Sequence, residues 1–495
     1  MKKSKIFALV SALLLTSGVL AGCGGNKGGD DEELTGTALA VDKASKMTLE
    51  ELEQASKAEV EAQPGAKFKV VGLTSVLKSV AKTIAERYDW LNDSGDNKNI
   101  DVKNDYKDYQ LLTALDTAER QYFADYALAQ DARSFSAYIE DGITYNYVPS
   151  DAKTTLGLGD EALLPLYGVH FNKLFWTNKN FSTVNNGLTL YNIWQLAGND
   201  QYTQKYKATD TSEVIPQDHP DHISKVSFQK PDTEQINMSF LISCYAEENQ
   251  ARILKAYKDY YQKDWAPSDY LDSDGKVAGT YQSAGEQWVR EFIRNIKRWH
   301  SSDGTAMKET QLKEDWEAGF VYYGAFAKMK DAVGKFYTVA GQDTDPILKD
   351  LIIKAGDSNA GENNANVGKI CAMDTVKWDW EINGFNGFMY CMDSQIINNA
   401  KFPYTACLFA RTLLLQETYT KAIYNELNPA ADGQPGNQYG YYYPGKADST
   451  FRYAKGDWTK EVHMEKEVNE NYEFLKNVKV STVNSILAMV SANKA

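Results

Sequence analysis

Thr74 and Ser75 are two adjacent hydroxyls placed where a short apolar run, Lys67 to Leu73, gives way to a helical pattern beginning at Val76. At such a junction the free backbone N–H groups and the helix dipole attract anionic or strongly polar groups, and the hydroxyls either add to that or cap the helix. Asp131 closes a second strand-like run, Ala124 to Ala129, in the same way. The chemistry on offer is recognition. Signatures of bond cleavage are missing: the sequence holds no HExxH, GxSxG, Walker or GxGxxG pattern. His219 and His222 have ligand-like spacing, but Pro220 between them disfavours a helix and the segment reads as an exposed polar loop. Asp272-Ser273-Asp274-Gly275 opens like a calcium loop without its remaining ligands and reads as a turn. No catalytic residue, metal site or cofactor is therefore assigned.

Aromatic side chains are the notable surplus, with 31 Tyr and 10 Trp, and rings with polar tips suit recognition as well as packing. The densest group is Gln438 to Gly445, a tyrosine run flanked by glycines, where Tyr442 is a candidate ligand contact. Tyr322 and Tyr323 end the strand-like run from Gly319, and Asn178 follows another. With Thr74, Ser75 and Asp131 they complete the candidate set.

Positioning these residues falls to an alternation of elements. Lys67 to Leu73 reads as strand, Val76 to Leu91 as helix, Asn99 to Lys103 as strand, Tyr109 to Gln121 as helix and Ala124 to Ala129 as strand. A β-α-β-α-β order predicts a mainly parallel sheet, whose ligand edge lies beyond the carboxyl ends of the strands. Further on, Met238 to Gln262, Ala284 to His300 and Phe402 to Tyr424 read as helices, with Trp288, Phe292, Ile296 and Trp299 forming one core stripe. The loops Gly356 to Gly368 and Gly433 to Gly445 are longer than ordinary connectors.

The first residues carry a different message. Lys2, Lys3 and Lys5 precede an apolar run, Ile6 to Leu20, and then Leu20-Ala21-Gly22-Cys23. That arrangement marks an export signal, and the cysteine after Leu-Ala-Gly resembles a bacterial lipobox, which implies a lipid on the Cys23 thiol and a mature chain starting there. A Gly/Asn/Lys/Asp tether, Gly24 to Asp31, follows, and a spacer with one helix, Thr48 to Ala62, extends to Gly65. The formal charge is −14, and loss of Lys2, Lys3 and Lys5 with no acid leaves the mature form at −17, which excludes a nucleic acid partner. Of five cysteines, Cys244, Cys371, Cys391 and Cys407 remain after lipidation, and both disulfides and buried free thiols fit their spacing.

Several motifs in order resemble one family. Thr48-Leu49-Glu50-Glu51-Leu52 with Lys57-Ala58, Val70-Val71, Ala124 to Asp131, Gly142-Ile143 and Tyr147-Val148-Pro149 come first. Leu164-Pro165, Phe175-Trp176-Thr177-Asn178, Asn192 to Leu196, Val226-Ser227-Phe228 before Pro231-Asp232, and Phe402 to Ala410 with Gln416-Glu417 follow. Together they resemble the extracellular solute-binding proteins of bacterial ABC importers, in the branch that binds iron(III), polyamines, thiamine or phosphonates. The family's paired tyrosines have no unique match, and Gly361 to Gly368 looks inserted. The resemblance implies an α/β fold, a two-lobe type II periplasmic-binding-protein-like clamp with mainly parallel sheets, crossed near 166–170, 318–324 and 390–402. Lobe 1 would comprise 66–168 and 319–395, and lobe 2 would comprise 169–318 and 396–495, with residues 23–65 as tether. It further implies a monomeric receptor on the outer face of the cell membrane that passes a small polar solute to a permease. A surface glycoside hydrolase or other secreted hydrolase, and an adhesin-like lipoprotein, are the rival readings.

Overall fold

The computed structural model describes residues 34–72, 76–92, 95, 98–104, 106, 111, 114–115, 121–129, 132–151, 166–177, 181–198, 219, 221–271, 276–300, 319–325, 336–337, 352–353, 382–419, 421–422, 441–442 and 465–494. Its strands are β1 (Phe68–Gly72), β2 (Ile100–Lys103), β3 (Tyr126–Ala129), β4 (Thr144–Tyr145), β5 (Leu166–Thr177), β6 (Val226–Gln229), β7 (Asp269–Leu271), β8 (Val277–Thr280), β9 (Ile296–His300), β10 (Val321–Ala325), β11 (Phe336–Tyr337), β12 (Ile352–Ile353), β13 (Gly387–Ile397), β14 (Tyr441–Tyr442) and β15 (Val468–Asn469). Eleven of them form one sheet with the main order β2-β1-β3-β13-β5-β10-β6-β9, to which β4, β14 and β15 add at the centre.

The sheet has two wings. At one end β2, β1 and β3 are parallel; at the other β10, β6 and β9 are parallel. Between them β13 and β5 are antiparallel to each other and to the wing strand each adjoins. The expected parallel alternation thus holds within each wing, while the centre that joins them is antiparallel. A one-residue alternation along each strand separates the faces.

Wing one has a core on each face. Phe68, Val70, Tyr126 and Leu128 pack under the helices α1 (Gly36–Lys46), α2 (Leu49–Glu61), α3 (Val76–Arg87) and α9 (Pro403–Leu413). Val71 and Ala127 face the other way, with Phe135 of α4 (Ala132–Glu140). After the short α5 (Phe181–Val184), wing two is covered by α6 (Gln235–Ser243), α7 (Glu247–Tyr261), α8 (Ala284–Asn295), α11 (Tyr472–Lys476) and α12 (Val480–Lys494) around Phe175, Phe228, Phe240 and Trp288. The short helix α10 (Gln416–Tyr419) follows α9.

Four expectations need correction. Residues 36–61 are not a spacer: Val41, Ala44 and Leu52 are buried in the first core, because α1 and α2 supply the apolar cover for α9. The lobe boundaries shift as well. Phe402 to Leu413 belong to the first core, while Val321, Tyr323, Phe385 and Phe388 belong to the second. Helix α8 stops at Asn295, and Ile296 to His300 form β9, since pairing Phe228 with Trp299 beside β6 outweighs a spacing that also fits a helix. The run Met238 to Gln262 is two helices, interrupted at Cys244 to Ala246.

Polar contacts hold α9 in place. Thr48 and Glu51 form a capping box at the start of α2, satisfying N–H groups that the first turn leaves free. From α2, Glu59 accepts from the backbone N–H of Tyr404 (3.2 Å) and Thr405 (2.9 Å) and from the Thr405 hydroxyl (2.8 Å), capping a helix whose first residue is Pro403. Burial outweighs these bonds and pushes the Glu59 carboxyl up to about 7. Between pH 4.5 and 7 the folded chain holds a proton that the unfolded chain has released, so stability falls as pH rises through that window and levels off above it. Relative to Glu59→Gln, the wild type is expected to lose about 3 kcal/mol from pH 4.5 to 7.5, read as the difference between their urea unfolding curves. A pH-independent difference would count against it.

Candidate ligand cleft between the two wings

The ladder register decides where the wings end. Ala129, the last residue of β3, is opposite Asp393 of β13, which is opposite Leu166 of β5. Further along β5, Lys173 is opposite Ala325, the last residue of β10. Since β10 runs against β5 and β5 runs in the direction of β3, the carboxyl ends of the two wings face each other. From Leu166 to Lys173 the gap is about 23 Å at ~3.3 Å per residue. Its floor is β5 and β13, with Val169 and His170 opposite Cys391 and Tyr390 on one side and Tyr442 and Tyr441 of β14 on the other. Strand β15 borders β13 at Phe388 and Met389. Facing carboxyl ends at a reversal of strand direction are where α/β sheets bind ligands.

The candidate residues divide accordingly. Thr74 and Ser75, between β1 and α3, Asp131, between β3 and α4, and Asn178 lie outside the described residues, as does Cys23. The first three follow strands of wing one that end at the gap. Asn178 follows Thr177, which is opposite Val321 at the edge of wing two away from the gap, because β5 runs past its carboxyl edge. The backbone of Tyr442 is paired at the floor, opposite Val169.

Tyr322 and Tyr323 are both fully buried. The Tyr323 ring stacks on Phe240 at 4.5 Å and lies 5.1 Å from Phe228 and 5.3 Å from Phe175. That is a core position, where the sequence reading has it lining the cleft; alternation in β10 turns it onto the face covered by α6. Tyr322 points to the opposite face, edge-on to His300 at 6.3 Å. It is walled in with Ser227, whose hydroxyl contacts the His300 Nε2. Ser227 is 1% exposed in the middle of a wing strand, so this Ser–His contact lacks the access a nucleophile needs.

The histidine pair is also not a free polar loop. His219 stacks on Tyr260 at 3.8 Å, and His222 contacts the Gln195 carbonyl through Nδ1 at 3.1 Å. Desolvation pushes the His222 imidazole down to about 3, so it is neutral at physiological pH. Among the described residues no three His, Cys, Asp or Glu side chains group closely enough to hold a metal ion. Cys244 and Cys407 are buried free thiols, and burial raises both thiols. No described helix is long and apolar enough to cross a membrane.

What the sequence reading missed is on β13. Its apolar run is interrupted by Asp393-Ser394-Gln395, all buried. Ser394 exchanges a 2.5 Å hydrogen bond with the Tyr126 hydroxyl, whereas Asp393 and Gln395 face the other side, opposite Ala129 and Ala127. Three consecutive polar residues inside an apolar strand were the available signal.

No protein-family model and no curated protein matches the chain. Solved structures with a similar chain path include a Trichodesmium protein (IdiA, FutA) in complex with iron and citrate, 12% identical, with a TM-score of 0.43 over 86% of this chain and 99% of that one. Ferric iron-binding protein A of Mannheimia haemolytica in an open conformation is 10% identical, with a TM-score of 0.45 over 87% and 99%. An ABC transporter structure from Clostridium perfringens is 11% identical, with a TM-score of 0.43 over 86% and 100%. At these identities and TM-scores they do not tell what this chain binds.

Proposed function

We propose that the chain is a lipid-anchored, extracellular solute-binding receptor that captures a small polar solute between its two wings and delivers it to an ABC import permease. The observation that carries this reading is the register: two parallel wings with facing carboxyl ends, joined across a gap by β5 and β13. A solute that touches both wings binds the closed form better than the open one and draws the lobes together by that difference. Thr74, Ser75 and Asp131 at the ends of wing one and Tyr442 beside the floor are the proposed contacts. Both halves of the site come from one chain, so a monomer suffices. No catalytic step is assigned. Mass spectrometry of the gently purified protein is expected to find a retained small molecule released unchanged on denaturation; steady turnover of a glycan or peptide would move the assignment to a hydrolase.

Anchoring rests on Cys23. Cys23→Ser is expected to abolish incorporation of a fatty-acid probe and release the protein from membranes, because the thiol is the acceptor that the lipobox resemblance supplies. Unchanged labelling of the variant would contradict the anchor.

A further inference from the structure

Gln395 lies on β13 two residues from the gap, completely buried, and neither its amide oxygen nor its amide nitrogen has a hydrogen-bond partner. Thr144 of β4, opposite Ile397, points to the same face; it too is completely buried with its hydroxyl unpartnered. The strand neighbour across from Gln395 is Ala127, whose side chain is a single methyl group. Leaving buried donors and acceptors unpaired is costly, and a fold retains such a cost where something else supplies the missing bonds.

We infer that Gln395 and Thr144 form a subsite behind the cleft floor of wing one that takes a hydroxyl group of a neutral, polyol-like solute. This rests on the solute-receptor reading and names the solute class. The free functions are an amide N–H donor, an amide carbonyl and a hydroxyl, which match groups that donate and accept at once. An anionic group would be brought against the buried carboxylate of Asp393 on the same face of β13. An ammonium can only donate, so it would leave the Gln395 amide N–H groups without an acceptor.

The test uses the full chain with D-mannitol and D-glucose at 1 mM, and with putrescine and sodium sulfate at 1 mM as cationic and anionic probes. Thermal unfolding and calorimetric titration are followed for the wild type, Gln395→Leu and Gln395→Met. At least one polyol is expected to bind the wild type, and both substitutions to weaken it tenfold or more. Without a probe, both variants are expected to melt at or above the wild-type temperature, since an unpaired buried amide has been removed. Polyol affinity unchanged in both variants, no response to either polyol, or a response only to putrescine or sulfate would overturn the inference. If the variants retain the solute found on the purified wild type as well as the wild type does, the subsite fails while the receptor reading stands. If no solute is retained and no probe binds, both fail.

Discussion

Asp125→Ala is expected to lower the thermal midpoint by roughly 10 °C, the largest effect of any single substitution considered. Asp125 is completely buried just before β3 and accepts four hydrogen bonds. One oxygen takes the Lys69 N–H (2.7 Å) and the Tyr122 hydroxyl (3.0 Å). The other takes the N–H groups of Lys401 (2.7 Å) and Phe402 (3.1 Å), at the entry to α9. The carboxylate thereby ties β1, β3 and the return from β13 into one unit. Burial raises its carboxyl above the usual range, and the four donors lower it only in part. Ionisation in place is therefore costly, but deleting the acceptor leaves four donors facing an apolar cavity. Leaving one buried donor unpaired costs about 1–3 kcal/mol, and here four lose their acceptor. Asp125→Asn keeps one oxygen for two donors and should lose less. Calorimetry of both variants checks the order; an Asp125→Ala midpoint within a degree or two of wild type would refute the role.

The second large effect is at the crossing itself. Gly387 begins β13 opposite Leu174, and a methyl group there would sit well inside van der Waals contact with the Lys173 carbonyl oxygen and close to the backbone of Leu174. The backbone of β5 cannot swing away as a flexible side chain can, so Gly387→Ala must push β13 from β5. The expected cost is about 3 kcal/mol, the upper part of the range for overpacking. More telling than the cost is its form: with the crossing pair splayed, the two cores should melt in two calorimetric transitions instead of one. Gly279→Ala is the control. Its added methyl would meet the hydroxyl end of Tyr270, which can move, and the β7–β8 hairpin lies outside the main sheet. A single transition in both variants, at equal temperatures, would show that the crossing pair does not couple the cores.

How far the sequence discloses this molecule depends on whether local pattern and tertiary packing agree. They agree at β1, α3, β2 and β3, whose order itself implies parallel pairing; the expected helix from Tyr109 to Gln121 lies largely outside the described residues. The start of α2 is equally legible as the helix from Thr48 to Ala62, because the Thr48–Glu51 capping box that begins it is a purely local device. They disagree at Ile296 to His300, where apolar residues at helical spacing also suit a strand and only the neighbouring β6 decides. The helices from Gly36 to Glu61 read as a polar spacer because their apolar stripe is narrow, and what makes it core is α9, more than 300 residues away. For the site, strand ends could be placed from sequence, but the face of Tyr323 could not. Its burial follows from pairing with β5 and β6, a relation between distant segments. Gln395 escaped notice for the same reason: polarity was visible, whereas the absence of a partner exists only in three dimensions.

The central claim is that two wings with facing carboxyl ends close on a solute by bending at β5 and β13. Small-angle X-ray scattering of the protein, stripped of retained solute by partial unfolding and refolding and then resaturated with it, tests this most directly. The account predicts a smaller radius of gyration with solute than without, and no such change in Gly387→Ala, where the crossing pair is disrupted. An unchanged radius in the saturated wild type, with product accumulating from the solute, would contradict it.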